Sequence, residues 1–265
     1  VVAAVALAGL IAGLAVAFAP EPGDGRPERF AGMAARLAVA VTCATAFGLY
    51  VVPAQPGPAA AGLLVVVAAA DLGGVRLPDL AARWVTAVLL VAAVVLVVLC
   101  FAIAPVTPSA GWTVPNLPGL ALATLVLIPF LLPRGQDRPR LRTGALLVVA
   151  LAVAIAALHQ LGPVRLGLSA TSFEDVLAAA DAAVLLPLLT VVVVLATVPA
   201  ALDAFTEARA RISPERGWVT VVCGLVAAAL AAFAGPVAAL IAAGLCAVVE
   251  LLLRHLAPRY GERRD

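Results

Sequence analysis

Apolar residues run along this chain in long blocks, separated by short segments rich in proline, glycine and arginine. A helix that crosses a bilayer needs about 20 apolar residues, with a usable range of roughly 17–25. Val1–Ala19 is free of charge, and Leu37–Ala70 is charge-free over a length that allows two crossings. The segment from Pro53 through Gln55 and Pro56 to Pro58 divides that second block into helices near 31–52 and 57–71. Proline cannot continue a helix and biases the preceding residue out of the helical region. Trp84–Pro133 is also uncharged, and Pro105, Pro108, Pro115 and Pro118 divide it into helices near 84–104 and 118–132. Single spans follow near 143–161 and 182–201, and a hairpin turning at Gly235-Pro236 supplies 217–234 and 236–253. With the first block as a helix near 1–19, the pattern predicts an all-α, polytopic transmembrane bundle of about nine helices. Strands are not expected, since an open strand edge leaves backbone groups unpaired in lipid. The longest loop, 162–180, is too short to fold alone, so residues 1–265 form a single integral membrane domain.

Charge adds an orientation. The chain has 17 basic residues, all arginine, and they collect in alternate gaps. Arg26, Arg29 and Arg36, then Arg76 and Arg83, then Arg134, Arg138, Arg140 and Arg142 lie on one side. Arg209, Arg211 and Arg216, and then Arg254, Arg259, Arg263 and Arg264, belong to the same side. Only Arg165 falls in the alternate set. Cytoplasmic loops of membrane proteins concentrate Lys and Arg. The expected arrangement is therefore a multi-pass protein of the bacterial inner membrane, N-terminus outside and C-terminus cytoplasmic. Abundant alanine, valine and arginine without lysine point to a GC-rich bacterial genome.

Composition agrees with a bilayer as solvent. Hydrophobic residues make up 64% of the chain, charged residues 12%, and mean hydropathy is +1.14; soluble domains average roughly 45–50% apolar and about 25% charged. The basic face suits anionic lipid headgroups. It lacks interleaved aromatics, and no nucleic-acid partner is expected. Cys43, Cys100, Cys223 and Cys246 have no C-x-x-C spacing and read as small hydrophobes rather than a disulfide or metal site. Ala15–Ala19 has small-residue spacing like a signal-peptide cleavage site, but the block lacks a basic leading region and reads as a retained helix. Met33 is the only methionine, which implies a trimmed sequence or a non-ATG start.

Ionisable residues inside the hydrocarbon normally mark ion or substrate pathways. Asp71, Asp181, Asp203 and Glu250 all fall at segment ends, where headgroups or water are within reach. Glu250 and Arg254, four apart on a helix, predict a modest surface pair. His159, beside Gln160 near the outer end of its helix, reads as an interfacial histidine satisfied by water. Thr42, Thr45, Thr124 and Thr190 are the main polar side chains near the midplane, and threonine commonly satisfies its own helix backbone. No H-E-x-x-H, G-x-S-x-G or P-loop is present, so no enzyme, cofactor or metal is expected. Asp71 and Asp79 flank Arg76 in a polar turn, where a metal-dependent headgroup enzyme could keep carboxylates, but solvated aspartates are the simpler reading. Pro118-Gly119 opens an apolar run that meets Pro129 and stops at Pro133. Broken helices of this kind supply ligands near the midplane in secondary transporters.

Several loops together resemble the amino acid/polyamine/organocation (APC) permease superfamily. Asp71-Leu72-Gly73-Gly74-Val75-Arg76, followed by the long helix from Trp84, is similar to the N-x-x-G-V-basic turn before that family's fifth helix. The segment Gln136–Arg142 is similar to the D-P-x-basic-x-aliphatic-P stretch after its sixth. The segment Glu207–Pro214 resembles the A-R-D-G-x-L-P loop after its eighth, and the terminal hairpin with Glu250–Arg259 its ninth and tenth. The likeness covers most of the chain as family helices two to ten. It implies an APC/LeuT-like architecture of two inverted five-helix repeats that lacks the first helix, and with it the glycine-rich substrate-carboxylate motif.

Family members transport amino acids or amines, held by unwound stretches of the first and sixth helices that face the third and eighth. On the sixth-helix equivalent, Ile128, Pro129 and Phe130 are the positional candidates for substrate binding. The resemblance thus implies a permease-like secondary transporter of an amino acid or amine. The alternative is a non-transporting structural or accessory membrane protein derived from a permease, acting with a membrane-protein partner or as an oligomer.

Overall fold

A computed structural model describes residues 9–10, 13–14, 26–76, 78–103, 117–131, 139–168, 171–179, 182–211 and 217–256. Among these residues the secondary structure is entirely helical. The helices are α1 (Arg26–Val51), α2 (Pro56–Leu72), α3 (Asp79–Ala102), α4 (Leu117–Leu131) and α5 (Pro139–Leu168). They continue as α6 (Ser172–Ala179), α7 (Leu186–Ala210, entered through a 3-10 turn at Ala183–Leu185), α8 (Gly217–Phe233) and α9 (Pro236–Leu256).

Four helical stretches, Pro27–Val51, Leu80–Ala102, Leu186–Ala210 and Pro236–Leu256, are long and apolar enough to cross a membrane. The shorter apolar helices α2 and α8, at 17 residues each, sit at the lower limit for a span. Most sequence-predicted helices match to within a few residues, because prolines and glycines mark their ends. The predicted helix near 1–19 lies largely outside the described residues. Two differences matter. Helix α5 continues through Gly162 and Pro163, and α6 forms within the expected 162–180 loop. Helix α7 runs nine residues beyond the expected end at 201, because Asp203, Thr206, Glu207 and Arg209 find partners or water without leaving the helix.

Helix α1 is the axis of the bundle. It packs against α7 and α9 most extensively, then α2 and α8, and touches α4. Its apolar window is 56% buried, whereas the window of α3 is 6% buried. Leu80, Trp84, Val88, Val91, Val94, Val98 and Phe101 of α3 all face outward. Such a surface is stable only against an apolar solvent, which hydrocarbon supplies. Helix α3 packs instead on α5, with a smaller contact to α7.

Small side chains bring the inner helices together. The core shared by α1, α2, α7 and α8 includes Ala40, Ala44, Ala60, Leu64, Ala201, Phe205, Ala227 and Ala231. At Gly224 an added Cβ would lie 2.7 Å from the Cβ of Ala68, and at Gly244 it would collide with the backbone carbonyl of Leu125 on α4. Close backbone approach of this kind gains dispersion where lipid removes the hydrophobic advantage of association. The end of α2 is a Schellman turn. Val75 N–H donates to the Ala70 carbonyl at 2.9 Å and Gly74 N–H to that of Asp71 at 3.1 Å, with Gly74 at φ 71°. Helix α6 is held beside the end of α1, where Phe173 N–H donates to the Tyr50 hydroxyl at 3.4 Å and the two rings meet at 6.3 Å.

Replacement of Gly244 by Ala is expected to lower unfolding stability in mixed micelles by about 1–3 kcal/mol, the usual range for overpacking. Gly62, with open space around it, is the control: its Ala variant should be neutral or up to ~1 kcal/mol more stable. Equal behaviour of the two variants would show that α4 and α9 do not meet at Gly244.

Candidate functional site

The chemistry of the described residues concentrates at one end of the bundle. The start of α1 and the ends of α2, α7 and α9 converge there. Arg36 Nε of α1 lies 3.1 Å from Glu207 Oε2 of α7. Arg209 Nε of α7 lies 2.9 Å from Asp71 Oδ2 of α2, and the Thr206 hydroxyl donates to Asp71 Oδ1 at 3.1 Å. Arg211 Nη1, just past α7, donates to Glu250 Oε1 of α9 at 2.8 Å. Arg254 Nη2 donates to the same oxygen from one turn further along α9.

Helical spacing explains these meetings. Thr206, Glu207, Arg209 and Arg211 occupy the last turns of α7 and fan out towards three neighbours. Glu250 and Arg254 are one turn apart on α9. Arg211 reaches Glu250 across the backbone of α1 at Gly32, where any Cβ would collide with the same Nη1 that bonds the carboxylate. Gly32 is thus the gap through which α7 is tied to α9.

Burial sets the energetics. Arg36, Asp71, Glu250 and Arg254 are between 0% and 3% exposed. Buried charge is tolerated only when paired and hydrogen-bonded, since each ion forfeits several kcal/mol of hydration. Four cations (Arg36, Arg209, Arg211, Arg254) face three partner anions (Asp71, Glu207, Glu250). A further carboxylate, Glu28, is buried on the same face of α1 as Gly32. Glu28 Oε2 and Glu250 Oε2 make no hydrogen bond among the described residues.

Sequence reasoning foresaw the Glu250–Arg254 spacing and misjudged its setting. The pair is buried rather than superficial, and Asp71 is ion-paired and buried rather than solvated. The reason is the extension of α7, whose last turns cover what would otherwise be exposed helix ends. The side chain of Asp79 and all of Asp181 lie outside the described residues. Asp203 is exposed, as expected of a segment end. The acidic residues at the same ends as the arginines were the signal for the remaining pairs; a partner two to six helices away carries no fixed spacing.

The other candidates are packing residues in this structure. Ile128 and Pro129 are buried, with Ile128 against Ala35, Ala247 and Leu251, and Phe130 packs on the main core. Thr42, Thr45, Thr124 and Thr190 each donate to a carbonyl of their own helix, at 2.9, 3.0, 2.9 and 3.2 Å. His159 is half-buried and stacks on Phe101 with ring centroids 5.0 Å apart, so an aromatic neighbour takes part of the place expected for water. Cys43 and Cys100 are buried and form no disulfide. Among the described residues no three His, Cys, Asp or Glu side chains converge as a metal site. No protein-family model, curated protein or solved structure matches the chain.

Truncating Glu250 to Ala should cost about 3–5 kcal/mol, since Arg254 is left charged and buried. Replacing Glu250 and Arg254 together by Met should recover most of that loss. Chemical unfolding in mixed micelles measures both. If the double variant is no more stable than Glu250→Ala, burial of the unpaired charge is not what the single change costs.

Proposed function

We propose that the chain is a permease-like, multi-pass protein of the bacterial inner membrane, and that it acts as a secondary transporter of an amino acid or amine. The observation that carries this reading is the pairing of its helices. In the APC resemblance α1, α2 and α3 stand for family helices three, four and five, and α7, α8 and α9 for eight, nine and ten. Two inverted five-helix repeats make three equivalent to eight, four to nine and five to ten. Helix α1 packs most extensively on α7, and α2 packs extensively on α8, so equivalent helices sit together. The cross-contacts α1 with α8 and α2 with α7 exchange into one another under the same equivalence and are of similar extent, whereas α1 packs far more on α9 than α3 does on α7, and far more on α2 than α7 does on α8. The pairing of α1 with α7 and of α2 with α8 supports an inverted-repeat reading, and such repeats are a hallmark of transporter folds.

A second reading, a non-transporting structural or accessory membrane protein derived from a permease, is favoured by a different observation. The hydroxyls that could meet a zwitterion near the midplane are bonded to their own helices, and Ile128 and Pro129 offer only packed apolar surface. Under this reading the ionic layer serves to hold the helices in register.

Uptake of a pooled, labelled mixture of amino acids and amines into proteoliposomes containing the purified chain separates the two. Saturable, gradient-dependent uptake is the expected result. No uptake above empty liposomes, from protein shown to be folded, selects the accessory reading. For orientation, reporter fusions at Gly135 and Gly261 should report cytoplasm and one at Pro56 the outside. A periplasmic signal at Gly135 reverses the topology.

A further inference from the structure

The ionic layer is asymmetric in a way that its pairing does not require. In each pair that α7 makes, the α7 side chain is the more exposed member. Glu207 is 33% exposed and its partner Arg36 1%; Arg209 is 19% and Asp71 3%; Arg211 is 23% and Glu250 0%. The α7 side chains form the partly exposed rim of the layer, and the charges on α1, α2 and α9 lie beneath. The same helix carries Pro199 in its interior. Proline has no N–H, so the Leu195 carbonyl lacks its usual donor four residues on, and the ring crowds that carbonyl. The hydrogen-bond ladder of α7 is therefore weakest seven residues before Thr206, where the segment bearing the charges begins.

We propose that the last turns of α7, residues 200–211, form a strap that pivots at Pro199 and closes this end of the bundle over the charges of Arg36, Asp71 and Glu250. Closed, the strap is held by Glu207, Arg209, Thr206 and Arg211 at its outer edge. On its inner side the buried contacts are Ala201, Ala204 and Ala208 together with two large side chains, Leu202 and Phe205. Alanine contacts forfeit little dispersion on separation, and the burial of Leu202 and Phe205 is the apolar contact that opposes it. Opened, the strap admits water to Asp71 and Arg36, while Glu250 keeps Arg254 as its partner. The strap belongs to the bundle's own mechanics and stands whether or not the protein transports a solute.

Amide hydrogen exchange on the full chain in lipid nanodiscs tests it. Residues 200–211 should exchange together, with a step in rate at Pro199, and faster than residues 186–198. Pro199→Ala should slow exchange of the strap about fivefold, the factor that one restored backbone hydrogen bond supplies. Glu207→Gln, at the most exposed of the pairs, should speed it while leaving 186–198 unchanged. Exchange that declines smoothly inward from Arg211 and ignores Pro199→Ala is end fraying, and it overturns the strap. So does protection of 200–211 equal to that of 186–198.

Discussion

The buried contact between Glu250 and its two arginines is the constraint on which this end of the molecule depends. Burial of a carboxylate with no exposure, in a chain that is 64% hydrophobic, is tolerated only with cations at hydrogen-bond distance. Arg254 comes from the same helix and fixes nothing beyond it. Arg211 comes from α7 across Gly32 of α1, so one oxygen of Glu250 sets the relative height of three helices. The Arg36–Glu207 and Arg209–Asp71 pairs repeat the constraint for α1 and α2. Buried ion pairs are weak sources of net stability and strong penalties against misalignment. Their work here is registry.

Registry matters because the rest of the bundle supplies little of it. The contacts among α1, α2, α7 and α8 are dominated by alanine, with a few leucines and valines. Small residues allow backbones to approach, but a smooth alanine face tolerates sliding more readily than interlocked large side chains do. Gly224 and Gly244 set the depth of two contacts. The polar layer then selects one arrangement among those the small residues permit. Helix α3, with little of its apolar window buried, takes no part in that layer and packs on α5 and, less, on α7.

Much of the helix pattern was legible in the chain. Block lengths and prolines located α1, α2, α4, α8 and α9 to within a few residues, since a bilayer admits only helices of a narrow range of lengths. Of the two boundaries that differ, the end of α7 is the informative one. Asp203, Glu207, Arg209 and Arg211 read as the loop after a span that stops near 201, because polar residues usually mark the exit from lipid. The helix instead runs to Ala210, and the charges of Glu207, Arg209 and Arg211 are met by α1, α2 and α9. The positional candidates on α4 were legible only as positions: Pro129 lies inside the helix, but its neighbours turn out to be core contacts.

What the sequence determined by itself is a set of apolar helices and the gathering of arginines in alternate gaps. Both follow from local composition, which does not depend on the neighbours of any residue. Only the tertiary structure decided that Asp71 and Glu250 are buried, that α7 is the element joining three other helices, and that Gly32 lets an arginine pass. Those facts depend on residues 39 and 135 or more positions apart. Pairing at such separations has no period to read, and it emerges only when packed small residues bring the helix ends together.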